Sequence, residues 1–325
     1  MNILVYGAGA VGRYFGGRMI QGGHQVIFVV RPGRERLLRE QGIKVTSTSG
    51  DFTINEVCVT SKPSRQQHLI DLILLCTKCY SLPEIAPSIS RLLDISTLVL
   101  PLQNGVGISR FLSSFIPKHQ LLTGLCFVLA ELRETGMLIQ RGPTPRIVFG
   151  SEFGAETDRL QALKDILSLC PGMEANFADD IITEAWSKFF SVAAIGAVGA
   201  VSRMPLGITR SYPGTRNMII SCMREIIKVG KTQGADLQEE LAKTTMRLRD
   251  EFPPSVTTSM QRDIMSGAPS KLDWQLGEVV RIATEHNLSV PTSSFLYDAL
   301  RPMDMLARGE LTLPSDKKAT AKTPG

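Results

Sequence analysis

The chain has 325 residues, 43% apolar and 21% charged, with a formal net charge of +5. These values exclude a wholly disordered or fibrous protein, and the length suits two domains of ~100–200 residues each. No apolar run reaches the ~18 residues that span a bilayer, and the charge is too diffuse to argue for nucleic acid.

The N-terminal run Asn2–Tyr6 is apolar, but no basic segment precedes it and glycines interrupt it at once. It reads as a buried strand rather than a targeting signal, so a cytoplasmic protein is expected. A glycine turn and a helical stretch to Gln21 follow. Next come a strand at Gln25–Val30, a helix at Arg34–Gln41, a strand at Leu69–Thr77, a helix at Leu82–Leu93 and a strand at Thr97–Leu102. Apolar strands alternating with helices predict a parallel sheet covered on both faces. Leu121–Leu129, Met137–Arg141 and Arg146–Gly150 read as strands joined by short turns, an antiparallel extension. After Asp179 the pattern turns helical, at Ile181–Val201, Arg216–Gln233, Leu237–Phe252, Lys271–His286 and Thr292–Ala307. Met218, Ile219, Met223, Ile226, Ile227 and Gly230 give one of these an apolar face at helical spacing. The expected fold class is α/β: an N-terminal Rossmann-type doubly wound sheet over residues 1–178, then an all-α domain over 179–312. Residues 313–325, polar and rich in Lys, Pro and Thr, read as a disordered tail.

The six cysteines suit reduced, mostly buried thiols. Cys76-Thr77-Lys78-Cys79 has CxxC spacing but no second ligand pair, and the four histidines are scattered, so no metal is expected.

Gly7-Ala8-Gly9-Ala10-Val11-Gly12 fits GxGxxG and lies where it must, between a first strand and a helix. The first glycine permits the tight turn, the second admits a pyrophosphate to the backbone, and the third lets helix and strand pack closely. An acidic residue ~20 positions on would bind the ribose of NAD. Here the second strand ends instead in Arg31-Pro32-Gly33-Arg34, and a guanidinium there pairs with a 2′-phosphate. The expected cofactor is NADP, bound as NADPH. The charge excess agrees: residues 31–44 carry net +3 and residues 313–325 net +2.

Gly7–Gly12 with Arg31, Cys76-Thr77-Lys78, Gln103–Gly107, Ala185-Trp186-Ser187-Lys188-Phe189, and Ser259–Asp263 followed by Gly267–Asp273 occur in an order and spacing that resemble the ketopantoate reductase (2-dehydropantoate 2-reductase) family. The resemblance covers about residues 1–310. It implies a Rossmann half and a helical half with the active site in the cleft, and an NADPH-dependent reduction of a 2-oxo acid to a 2-hydroxy acid. It implies Lys188 as catalytic residue and Lys78 and Asn104 lining nicotinamide and substrate. It also implies Ala130 as a backbone contact to cofactor and Ser259 as a contact to the substrate carboxylate. The partner is then a small carbonyl substrate, with no nucleic acid and no membrane; a homodimer is left open. An ammonium in reach of the carbonyl oxygen stabilises developing charge and donates a proton.

The chain departs from the family on the substrate side. Val192, Gly196 and Leu206 stand where the family presents amide side chains, and Lys271 replaces a glutamate. Lost partners cost a polar substrate several kcal/mol, which would make 2-dehydropantoate a poor substrate unless other groups compensate. A bulkier keto acid, or one with a second anionic group, is therefore expected. Another ketone, an imine, or a non-catalytic NADPH sensor remain as alternatives. Lys271 either adds a cation to the pocket or points into solvent.

Overall fold

The computed structural model describes residues 1–64 and 69–312; the expected tail lies outside them. The chain opens with β1 (Asn2–Tyr6), α1 (Ala10–Gln21), β2 (Gln25–Val29), α2 (Glu35–Gln41), β3 (Ile43–Ser47), β4 (Phe52–Ile54) and β5 (Cys58–Thr60). It continues with β6 (Leu72–Leu75), α3 (Leu82–Ser90), β7 (Leu98–Pro101) and α4 (Ile108–Leu112). Five of these strands form one parallel sheet in the order β5-β2-β1-β6-β7. Every residue of β6 and β7 is buried, as a sheet covered on both faces requires. The chain winds outward from β1 to β2, then crosses back to β6. This reversal opens a crevice at the carboxyl ends of β1 and β6, where α/β sheets bind ligands.

A second sheet is built from β3 and β4 with β8 (Thr123–Leu132), β9 (Met137–Gly150) and, after α5 (Thr157–Ser168), β10 (Glu174–Phe177). The two strands expected at Met137–Arg141 and Arg146–Gly150 are one. Gly142 adopts φ +83°, yet β8 runs antiparallel beside both halves of β9 and keeps them in line, shifting register between Phe127 and Leu129. The opposite edge is shared, with β3 pairing Met137–Gln140 and β10 pairing Arg146–Phe149, both parallel. The antiparallel extension therefore holds for β8 against β9, and β3 and β4 form a second antiparallel pair in the same sheet.

The helical part comprises α6 (Ile181–Ser202), α7 (Leu206–Ser211), α8 (Pro213–Thr232), α9 (Leu241–Asp250), α10 (Ser259–Met265), α11 (Glu278–Glu285) and α12 (Pro291–Arg308). One helix expected from Lys271 is instead a π-turn, Asp273–Gly277, leading into α11. The apolar stripe of α8 is buried along Ile219, Cys222, Met223, Ile226, Ile227 and Gly230. Glu225 is buried with it, accepting from the Thr292 and Ser293 backbone N–H groups at 2.9 and 2.7 Å. A carboxylate at the start of α12 satisfies helix donors that would otherwise be orphaned.

The chain divides into two compact units, Met1–Phe189 with Gln233–Asp236, and Phe190–Thr232 with the described residues from Leu237 on. The first turns of α6 belong to the first unit. There Ile181 and Ala185 pack on Leu125 of β8 and Val148 of β9. Gly150 makes this seat possible: a Cβ there would lie 2.5 Å from the Ala178 carbonyl oxygen and 2.7 Å from Ile181 Cβ. Among the described helices α6 alone has the length and apolarity of a membrane span, but 67% of its most apolar window is buried inside the protein. Gly150→Ala should lift the start of α6 off β9, lowering stability by about 1–3 kcal/mol in denaturant unfolding. A melt unchanged from wild type would show that the seat tolerates a methyl group.

Candidate active site

The carboxyl end of β1 enters Gly7 at φ +98°. A Cβ on Gly7 would lie 2.9 Å from the Thr77 amide nitrogen, and one on Gly12 only 1.9 Å from the Gly7 oxygen. Strand, helix and the residues after β6 thus meet at a spacing that only glycine permits. Gly9 caps α1 without a side-chain bond, no acidic residue stands in the first turn, and a Cβ on Gly9 would meet nothing within 4 Å. The opening helix therefore presents free N–H groups beside open space, which fits a dinucleotide diphosphate. Ala8, Ala10, Val11 and Cys76 pack against the same core as Ala130, which lies in β8 opposite Gln140.

Arg31 stands two residues beyond β2, exposed, in a turn closed by the Arg34 N–H on the Arg31 carbonyl at 3.1 Å. Its guanidinium has no hydrogen bond or ion pair among the described residues. Arg34 and Arg36 are exposed beside it. Arg13 escaped the sequence reading. It is 8% exposed, and its Nε donates to the Ala8 carbonyl at 2.9 Å while Nη1 reaches the Gly136 carbonyl at 3.3 Å. A buried cation with no carboxylate partner among the described residues holds the glycine turn to the β8–β9 connection. The only available signal was an arginine directly after the last motif glycine.

Lys78 and Asn104 follow β6 and β7, as expected; Lys78 is exposed and Asn104 half-buried. Gln103 is buried and donates to Thr77 Oγ1 at 3.4 Å. Lys188 lies in the second turn of α6, and its Nζ donates to Asn104 Oδ1 at 2.9 Å and to the Cys126 carbonyl at 2.7 Å. Nζ also sits 4.8 Å from the centroid of the Phe127 ring. The structure thus brings two of the expected residues into direct contact, inside the unit that carries the glycine turn. No carboxylate pairs with the ammonium among the described residues, and burial pulls its pKa below the ordinary 10.5, the Cys126 thiol opposing weakly. Burial pushes the Cys76 thiol well above its usual range, so it stays protonated and unreactive.

In the second unit, Ser259 begins α10 and Lys271 precedes the π-turn. Lys271 is 7% exposed and donates to Ser259 Oγ at 2.8 Å, so it does not point into solvent. Gly196 and Leu206 are buried and Val192 half-buried. A Cβ on Gly196 would lie 2.6 Å from Thr258 Oγ1, which caps α10 by accepting from the Gln261 N–H at 3.2 Å. The space of the missing amide is taken by the cap.

The family model of Ketopantoate reductase PanE/ApbA matches residues 3–152, and that of its C-terminal domain residues 180–304. The chain belongs to this family. It is 26% identical over 303 residues to the uncharacterized oxidoreductase YkpB of Bacillus subtilis, covering 93% of this chain and 98% of the relative. The crystal structure of a PanE/ApbA family ketopantoate reductase from Ralstonia eutropha superposes with a TM-score of 0.83 at 26% identity, covering 95% of this chain and all of the other. D-mandelate dehydrogenase, solved with NADH and anilino(oxo)acetate, shares the fold at a TM-score of 0.84 and 22% identity, covering 95% of this chain and 99% of that one. The chain is an oxidoreductase of the ketopantoate reductase family.

A hydrogen bond to a charged group is worth about 1.5–3 kcal/mol, so Asn104→Ala should lower the Lys188 pKa further, by about 1–2 units. The readout is the pH dependence of Lys188 acylation by an amine-reactive ester, followed by peptide mass spectrometry. An unmoved titration would mean that Asn104 does not hold the ammonium.

Proposed function

We propose that the chain is an NADPH-dependent reductase of a 2-oxo acid, with Lys188 as its proton donor. The observation that carries this reading is the ammonium of the half-buried Lys188, bonded to two neutral oxygens and paired with no carboxylate among the described residues. Such a group is acidic enough to give up a proton and cationic enough to polarise a carbonyl.

The N–H groups of the Gly7–Gly12 turn bind the cofactor's diphosphate, Arg13 steadies that turn, and Arg31 binds the 2′-phosphate. Lys78, Asn104 and the backbone of Ala130 line the nicotinamide end. The bound cofactor supplies a hydride to the carbonyl carbon. Lys188 stabilises the charge that gathers on the carbonyl oxygen and passes one proton from Nζ to it. The resulting amine is reprotonated from solvent. Ser259 and Lys271, in the second unit, are the residues to which the family resemblance assigns the substrate's anionic groups. The D-mandelate dehydrogenase fold accepts NADH, so the choice of NADPH rests on Arg31 rather than on the architecture.

The substrate is a 2-oxo acid that does not need the amides missing at Val192, Gly196 and Leu206. Its side chain is bulkier or more apolar than that of 2-dehydropantoate, or it carries a second anion for Lys271. NADPH oxidation across aliphatic, aromatic and dicarboxylic 2-oxo acids tests this. Turnover of one of them supports the reading, whereas tight NADPH binding with no turnover on any would mark a sensor.

Lys188→Ala should lower the turnover rate by about 10²–10⁴-fold with NADPH affinity nearly unchanged. Arg31→Ala should weaken NADPH by about 10–100-fold and leave NADH untouched. Equal affinity of the wild type for both cofactors would remove the 2′-phosphate assignment.

The pH dependence has a definite sign. Reduction needs the ammonium, so its rate should fall as pH rises through the lowered Lys188 pKa, giving an alkaline limb that begins below 10.5. Oxidation of the 2-hydroxy acid needs the neutral amine and should rise over the same interval.

A further inference from the structure

Phe127 lies in β8 beside Cys126, at the point where the pairing with β9 shifts register. A bulge of this kind re-aims side chains at functional edges of a sheet. The Lys188 Nζ is 4.8 Å from the centroid of its ring, and the Arg146 guanidinium carbon is 4.4 Å from the same centroid. All three residues belong to the first unit.

The ammonium has three N–H bonds, of which one is directed at Asn104 Oδ1 and one at the Cys126 carbonyl. A carboxylate in the third place would hold the proton and remove its use in catalysis. The face of an aromatic ring favours the charged amine without offering a base to receive its proton. Arg146 of β9 lies over the same ring and competes for its negative charge. Cys126 of β8 acts on Lys188 itself, and Glu184, one turn earlier on α6, is exposed.

We propose that Phe127 is a positioning residue for Lys188, its ring holding the buried ammonium in place and protonated while the third N–H stays available to the substrate carbonyl. The inference rests on Lys188 being the proton donor. It assigns a role in this chain to a side chain that otherwise reads as half-buried packing.

Replacing Phe127 by phenylalanine carrying one, two or three fluorines keeps the shape and drains the ring's negative face step by step. The alkaline limb of reduction should move to lower pH with each fluorine, by about 0.5–1 unit across the series. Turnover at fixed alkaline pH should fall by about 3–10-fold, with the KM for NADPH unchanged. Phe127→Trp should keep the limb near its wild-type position, and Phe127→Leu should move it to lower pH. A purely structural ring would leave the fluorinated series flat, and that result would overturn the proposal. The pH dependence of Lys188 acylation in the same series reads the ring without any substrate. A graded acylation shift in an enzyme with no turnover would overturn the reductase reading and keep the contact. A flat acylation series in an active enzyme would overturn the contact alone.

Discussion

A cation taken out of water has to be held by something, and the holders of Lys188 are neutral. Two oxygens and a ring face keep the ammonium in place, and none of them is a base strong enough to claim its proton. Much of the first unit serves this one group. Ile181 and Ala185 seat the start of α6 on Leu125 and Val148, so the lysine two turns into the helix overhangs β8. The seat exists because Gly150 leaves room for Ile181. Asn104 reaches the ammonium from the turn after β7, where Gly105 and Gly107 both have positive φ, +154° and +77°. The parallel sheet places that turn and the dinucleotide turn along the same carboxyl edge.

Some of this was legible in the sequence because the constraint was local. GxGxxG can be read because Gly7 and Gly12 answer contacts within a few residues or with the adjacent strand, while Gly9 borders open space. The apolar runs of β1, β2, β6 and β7 can be read because a sheet buried on both faces tolerates little else. The helical half announces itself through a 3.6-residue period. The contact between Lys188 and Asn104, 84 residues apart, was foreshadowed only by the family resemblance.

What was not legible depended on partners distant in sequence or silent in it. The Cys126 contribution is a backbone carbonyl, which any residue there would supply. Gly142-Pro143 looks like a turn and would be one if β8 did not run past it. The helix expected from Lys271 starts late because the backbone first makes a π-turn. Glu225 falls on the buried face of α8, against the usual rule, because it satisfies the first N–H groups of α12.

Two of the substituted positions in the second unit, Gly196 and Lys271, meet neighbouring residues at the start of α10. Gly196 and Thr258 occupy one position between them, the hydroxyl of the cap filling the volume where a side chain on α6 would go. Ser259, the next residue, accepts from Lys271. A site released from selection collects substitutions independently. A charged side chain stranded there by chance would extend toward water, because burying an ammonium without partners costs several kcal/mol. Lys271 instead stays 7% exposed and bonded to a hydroxyl. A small residue, a capping threonine, a serine and a buried lysine therefore form one connected set, in which a change at any position bears on its neighbour.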